Sequence, residues 1–184
     1  MLFRSLYYFL RVGADAGDAE KYAEVIKTVK EAGLTCRYSL MKAYILTPEK
    51  LAEEAKKLEA MGVDEMTIMD SAGCMLPDEV KEYVKALKAV VKIPIGFHCH
   101  NNLGMSAANA LAAMQSGVDV LDCGLLGMAR SAGNLATEVA TALAKKYGEA
   151  SEVDFYGLLD FLEKELIPAM ETHGYKTAIT QMEL

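Results

Sequence analysis

Apolar, β-branched or aromatic runs recur along this chain at a nearly constant interval, and that interval restricts the fold more than any other property of the sequence. LYYFLRVGA, TCRYSLM, EMTIMD, IPIGFHCH and VDVLDCGLL each give way to a polar turn and then to a helical pattern. With Leu10, Arg37, Thr67, Phe97 and Leu121 as strand centres, the steps are 27, 30, 30 and 24 residues. Each step has room for one strand, one helix and two short loops, so five βα units are predicted. Right-handed crossovers of this length make a parallel sheet, either an open doubly wound one or part of a (β/α)8 barrel. The even period favours the barrel. So does the gathering of Asp15, Lys42, Asp70, Ser71, His98, His100 and Asp122 at the C-terminal ends of strands, where a barrel sets them around one mouth. A whole barrel takes about 250 residues and eight strands. A partial (β/α)8 barrel is therefore expected over residues 1–150, with 151–184 beginning a C-terminal helical region.

Helix boundaries are written in the same pattern. Asp18 precedes one helix, Thr47-Pro48 and Pro77-Asp78 open two more, and Gly33, Gly62 and Gly117 stand where left-handed C-caps are wanted. In the second helix Leu51, Ala55, Leu58 and Met61 should form the buried stripe, while Lys50, Glu53, Glu54 and Lys57 face water.

With 52% apolar and 24% charged residues the composition is that of a globular, cytoplasmic protein. A net charge of −7 without a basic run argues against nucleic acid as a partner. The four cysteines form no CxxC pair, which leaves no zinc or redox motif and suggests reduced, small apolar side chains. The uncharged stretch from Ser5 to Leu10 is too short for a signal-peptide core or a membrane span.

Two of the three histidines fall in GFHCHNNLGM. On an extended strand His98 and His100 share a face and Cys99 turns away, so the pair could close on one metal ion or be a solvated, hydrogen-bonded pair. Asn101 and Asn102 before the next helix could bind an anion or simply cap. Asp70 and Ser71 in MDSAG could position a ligand or order their loop. Asn134 could cap the last repeat helix or reach into the mouth.

GFHCHNNLG, the Asn of SAGNLATE 36 residues later and MDSAGCM one unit upstream together resemble the metal-dependent TIM-barrel lyase family of the HMG-CoA lyase type. The similarity runs from about Arg11 to Pro168. The short glycine-rich stretch from Asp122 to Asn134 is most similar to the 4-hydroxy-2-oxovalerate aldolase branch, although GNLATE is worded more like the HMG-CoA lyase, isopropylmalate and homocitrate synthase branches. The resemblance implies that His98, His100 and Asn134 bind a divalent metal, Mn2+ or Mg2+, and that Ser71 and Asp70 line a 2-oxo acid site. It implies cleavage of a 4-hydroxy-2-oxo acid to pyruvate and an aldehyde, with an acylating aldehyde dehydrogenase as a partner that some such aldolases bind. A non-catalytic α/β binding module remains the alternative from another class.

By the same resemblance the chain corresponds to strands four to eight. The family's first strand carries an Asp ligand, an Arg and, in the aldolase, a His base. None has a counterpart here, and Arg11 is not that Arg. No catalytic residue is therefore assigned, and the chain alone is expected to be inactive. The opening MLFRS reads like one frame of a sequencing adaptor, so the gene is expected to extend upstream. An unclosed sheet would expose edges and favour homo-oligomers.

Overall fold

The computed structural model describes residues 8–175. The MLFRS pentapeptide lies outside them. Strands β1 (Phe9–Asp15), β2 (Thr35–Met41), β3 (Glu65–Asp70), β4 (Ile95–Cys99) and β5 (Val120–Asp122) form one parallel sheet in chain order. Helices α1 (Ala23–Glu31), α2 (Pro48–Ala60), α3 (Pro77–Lys88) and α4 (Ser106–Gln115) make the crossovers, and α5 (Thr137–Lys146) follows β5. A doubly wound sheet reverses its strand order at a switch point. This one never does, as the wall of a (β/α)8 barrel requires. After α5, α6 (Phe155–Phe161) runs through a π-helical turn, Leu162–Leu166, into α7 (Ile167–Thr172).

Register sorts the side chains onto two faces. Leu40 pairs with Ile68 and Ile68 with Phe97, and these three, with Tyr38, Met66 and Ile95, are wholly buried on the face the helices cover. The other face carries Arg11, Arg37, Thr67, Gly96, His98 and Asp122, one residue out of phase. Gly96 is required there: a Cβ at that position would stand 2.9 Å from Thr67 Oγ1. At the lower end of this face Arg37 pairs with Glu65 at 3.3 Å and lies over the Phe9 ring at 4.1 Å.

The punctuation of the helices follows their sequence. Thr47 Oγ1 accepts from Lys50 N, and Gly33, Gly62 and Gly117 take φ values of +72°, +94° and +84°. Two helices end in Gly-Val-Asp, and both aspartates do the same work. Asp64 accepts from Lys30 Nζ and from Cys36 N at the start of β2; Asp119 accepts from Lys88 Nζ and from Ile95 N at the start of β4. Burial opposes ionisation of both carboxyls, yet the ammonium and amide partners hold them below the usual value.

Glu54 departs from expectation. It is buried, not solvated, because its Oε1 accepts from Ala19 N at the head of the 3-10 turn that precedes α1. Among the described residues no helix is long and apolar enough to cross a membrane. Tyr8, Phe9 and Leu10, at the β1 edge, are exposed.

Candidate functional site

The upper rim of the concave face is built by the loops that follow β2, β3, β4 and β5. Strand β4 stops at Cys99, one residue before the expected end: His100 N still donates to Asp70 O as the last rung of the β3–β4 ladder, but His100 itself pairs with Asn134, in an isolated antiparallel bridge. Asn101 N donates to Gly133 O and Leu135 N to Cys99 O, so the segment carrying Asn134 is sewn onto the end of β4. Asn134 therefore does not cap the last repeat helix. That helix begins at Thr137.

His98 and His100 are nearly buried, with ring centroids 5.3 Å apart and planes at 76°. His100 Nδ1 and Asn134 Oδ1 are buried and have no hydrogen-bond partner in the protein. His98 Nδ1 lies 3.3 Å from Asp122 Oδ2, which also pairs with Arg11 Nη1. Burial first, then the Arg130 guanidinium and the His98 ring, push the His100 pKa down to about 4. At neutral pH that ring is a neutral donor of a lone pair. The His98 imidazole and then the Arg11 guanidinium, against the effect of burial, hold the Asp122 carboxyl at about 2.

Ser71 belongs to the same rim. Its hydroxyl accepts from Lys42 N, whose residue sits in the left-handed region at φ 51°, and Lys42 Nζ pairs with Asp15 at 2.8 Å. Because Ser71 Oγ accepts there, its own proton is left to donate. Asp70 meets His100 only through its backbone carbonyl, and its carboxylate is not brought to the histidines. Register pairs it with Cys99, on the helix-covered face, and its oxygens accept from Cys74 N and Met75 N. Burial raises its pKa although these amides pull the other way. Asn101 Oδ1 accepts from Ser106 N at the first residue of α4, and Asn102 donates to Ser131 Oγ.

Close approach fixes the rim. A Cβ on Gly73, at φ +63°, would stand 2.7 Å from both Asn102 N and His100 O, so the MDSAG turn and the histidine loop touch backbone to backbone. Gly127 packs as tightly, its Cβ position 2.8 Å from Asn134 O, and that of Gly133 lies 2.6 Å from Gly127 O. Tyr175 OH both donates to Ala129 O and accepts from Ala129 N, bracing the loop from outside.

Sequence reasoning passed over two groups. Arg130, from the loop after β5, donates to Ser71 O and so stands over the rim with further N–H groups to spare. A lone cation inside a glycine-rich turn at a strand end was the available signal. The other is the Arg11 pairing with Asp122, which joins the two end strands of the sheet order and which periodicity could not reveal.

Among the described residues no three His, Cys, Asp or Glu side chains cluster as a metal site by themselves. Two imidazoles and an amide side chain do stand together, and His98 Nδ1, His100 Nδ1 and Asn134 Oδ1 are all buried without a hydrogen-bond partner. Two imidazole nitrogens with an amide oxygen suit a first-row divalent ion better than the harder Mg2+, as part of its coordination shell.

Fold and site thus define a barrel-type α/β protein with paired imidazoles at the C-terminal mouth of its parallel sheet. Residues 11–164 match the HMGL-like family model, and the chain belongs to that family. It is 40% identical over 161 residues to the 4-hydroxy-2-oxovalerate aldolase of Carboxydothermus hydrogenoformans, covering 88% of this chain and 48% of that protein. The corresponding aldolase of Brevibacillus brevis is also 40% identical over 161 residues, covering 88% and 47%. The chain spans about half the length of these curated relatives. The HMG-CoA lyase of Bacillus subtilis superposes with a TM-score of 0.76 at 22% identity, over 95% of this chain and 66% of that one, a likeness of fold.

Proposed function

We propose that this chain carries the metal-binding side of a divalent-cation-dependent aldolase that splits a 4-hydroxy-2-oxo acid into pyruvate and an aldehyde. The observation that carries the proposal is the His98, His100 and Asn134 donor set, with His100 Nδ1 and Asn134 Oδ1 buried and unsatisfied by the protein. Leaving such atoms unpaired costs about 1–3 kcal/mol each. The name of the relatives supplies the substrate class.

His98, His100 and Asn134 would hold the ion, and a divalent cation there supplies Lewis-acid stabilisation of the charge that develops as the carbon-carbon bond breaks. Ser71 has a hydroxyl proton free to orient a carboxylate, and Arg130, anchored on Ser71 O, offers a cation beside it. Asp70 holds the MDSAG turn that presents Ser71. The donor set contains no anionic ligand and no base, and charge stabilisation, ligand set and base act together. The 184-residue chain alone is therefore expected to release no pyruvate. An aldehyde product also fits coupling to an acylating aldehyde dehydrogenase in the cytoplasm, and the exposed β1 edge fits self-association.

Titration with Mn2+, followed by the paramagnetic resonance of the free ion, tests the site: the parent chain binds and His98→Ala/His100→Ala does not. Equal binding by both would refute the site. Joining the chain to the N-terminal portion of the Carboxydothermus aldolase should restore pyruvate release from 4-hydroxy-2-oxo acids. Cleavage of CoA esters instead would move the chain to the HMG-CoA lyase branch.

A further inference from the structure

His98 points from β4 into the concave face, and the carboxylate beside its buried Nδ1, 3.3 Å away but not aligned as a hydrogen bond, belongs to Asp122, its register partner on β5. An ionised carboxylate offers only acceptors, so this 3.3 Å approach is attractive only when Nδ1 carries a proton. A neutral ring protonated there keeps its lone pair on Nε2. Asp122 is in turn held from across the face, since its Oδ2 also takes Arg11 Nη1 from β1, the strand at the other end of the sheet order.

We propose that Asp122, clamped by Arg11, is a positioning residue that fixes His98 as the Nδ1–H tautomer and so makes Nε2 its metal-binding nitrogen. The inference rests on the metal-binding reading of His98 and His100. Free imidazole has no such constraint, and a metal-ligating histidine whose other nitrogen is tied to a carboxylate gains both orientation and basicity. Arg11 acts one step further out. It stops Asp122 from turning away and ties the curvature of the five-stranded sheet to the aim of a single ring.

Long-range proton-nitrogen correlation spectra of the metal-free 184-residue chain, at mildly alkaline pH where imidazole is neutral, read the tautomer directly. The parent should show a protonated Nδ1 and an unprotonated Nε2 at His98. In Asp122→Asn that preference should be lost, and Mn2+ affinity should fall about 10–100-fold. Arg11→Gln keeps the acceptor and should retain the tautomer with a smaller fall. An Nε2–H tautomer in the parent overturns the proposal without any variant having to fold. Weaker Mn2+ binding by Asp122→Asn with the tautomer unchanged also overturns it, because Asp122 would then be a ligand itself. A parent with the Nδ1–H tautomer that binds no Mn2+ supports the positioning role and refutes the metal reading instead.

Discussion

Gly73→Ala tests whether the rim of the proposed metal site is held by backbone contact. Gly73 has φ +63° and a Cβ there would stand 2.7 Å from His100 O and Asn102 N, whereas Gly33 has φ +72° and nothing within 4 Å of its Cβ position. Both substitutions place alanine in the left-handed region, at about 1–2 kcal/mol, and both regain roughly 0.4–1 kcal/mol from the restricted unfolded chain. Gly33→Ala should therefore cost about 1 kcal/mol. Gly73→Ala adds a clash with main-chain atoms that cannot rotate away, and overpacking of this kind costs about 1–3 kcal/mol more. Relief requires the histidine loop to move, which carries His100 off its bridge with Asn134. Urea unfolding of the two variants gives the difference in stability, and Mn2+ titration gives the consequence for the site. Gly33→Ala should bind as the parent does, and Gly73→Ala more weakly. Equal loss of stability in the two variants, with parental Mn2+ affinity in Gly73→Ala, would refute the reasoning.

Saturating Mn2+ at about 100 times its dissociation constant should stabilise the parent by about 2.7 kcal/mol, seen as a rise in melting temperature that His98→Ala/His100→Ala lacks. Glu54→Ala should cost roughly 1.5–3 kcal/mol in urea unfolding, since it strips a charged acceptor from buried Ala19 N; a loss within error would make Glu54 a surface residue after all. Asp64 and Asp119 have lowered pKa values in the folded chain, so their contribution is present above the unfolded carboxylate value and disappears as pH falls through the folded one. Both side chains are 39% exposed, so screening keeps the contribution of each to about 1 kcal/mol or less. The stability gap between the parent and Asp64→Asn/Asp119→Asn should therefore shrink from neutral pH towards acid, and a pH-independent gap would contradict the assignment.

Local chemistry made the elements legible. TCRYSLM and EMTIMD are β2 and β3 to the residue, because turn and helix signals bound each run on both sides. Thr47-Pro48 fixes the start of α2 for the same reason, and the glycines fix the helix ends through a backbone conformation that other residues resist. Glu54 was misplaced because it flanks the apolar stripe, and helical periodicity cannot say that Ala19 N, 35 residues away, will need an acceptor there.

The site was legible as a set of residue types but not as a geometry. Asp15, Asp70, His98 and Asp122 are equivalent in the sequence, each a polar group at the end of an apolar run. What separates them is register, which a one-residue slip would invert for a whole strand. Because His98 pairs with Met69 and with Asp122, both neighbours share its face, and Asp70, one residue on, is thrown to the helix side. There its carboxylate orders the MDSAG turn and holds Ser71 at the rim without meeting the histidine rings. Asp122 receives the opposite assignment from the same ladder. Pairing between strands thus decides which carboxylate props the loop and which one stands beside His98, and composition around either residue would not have told them apart.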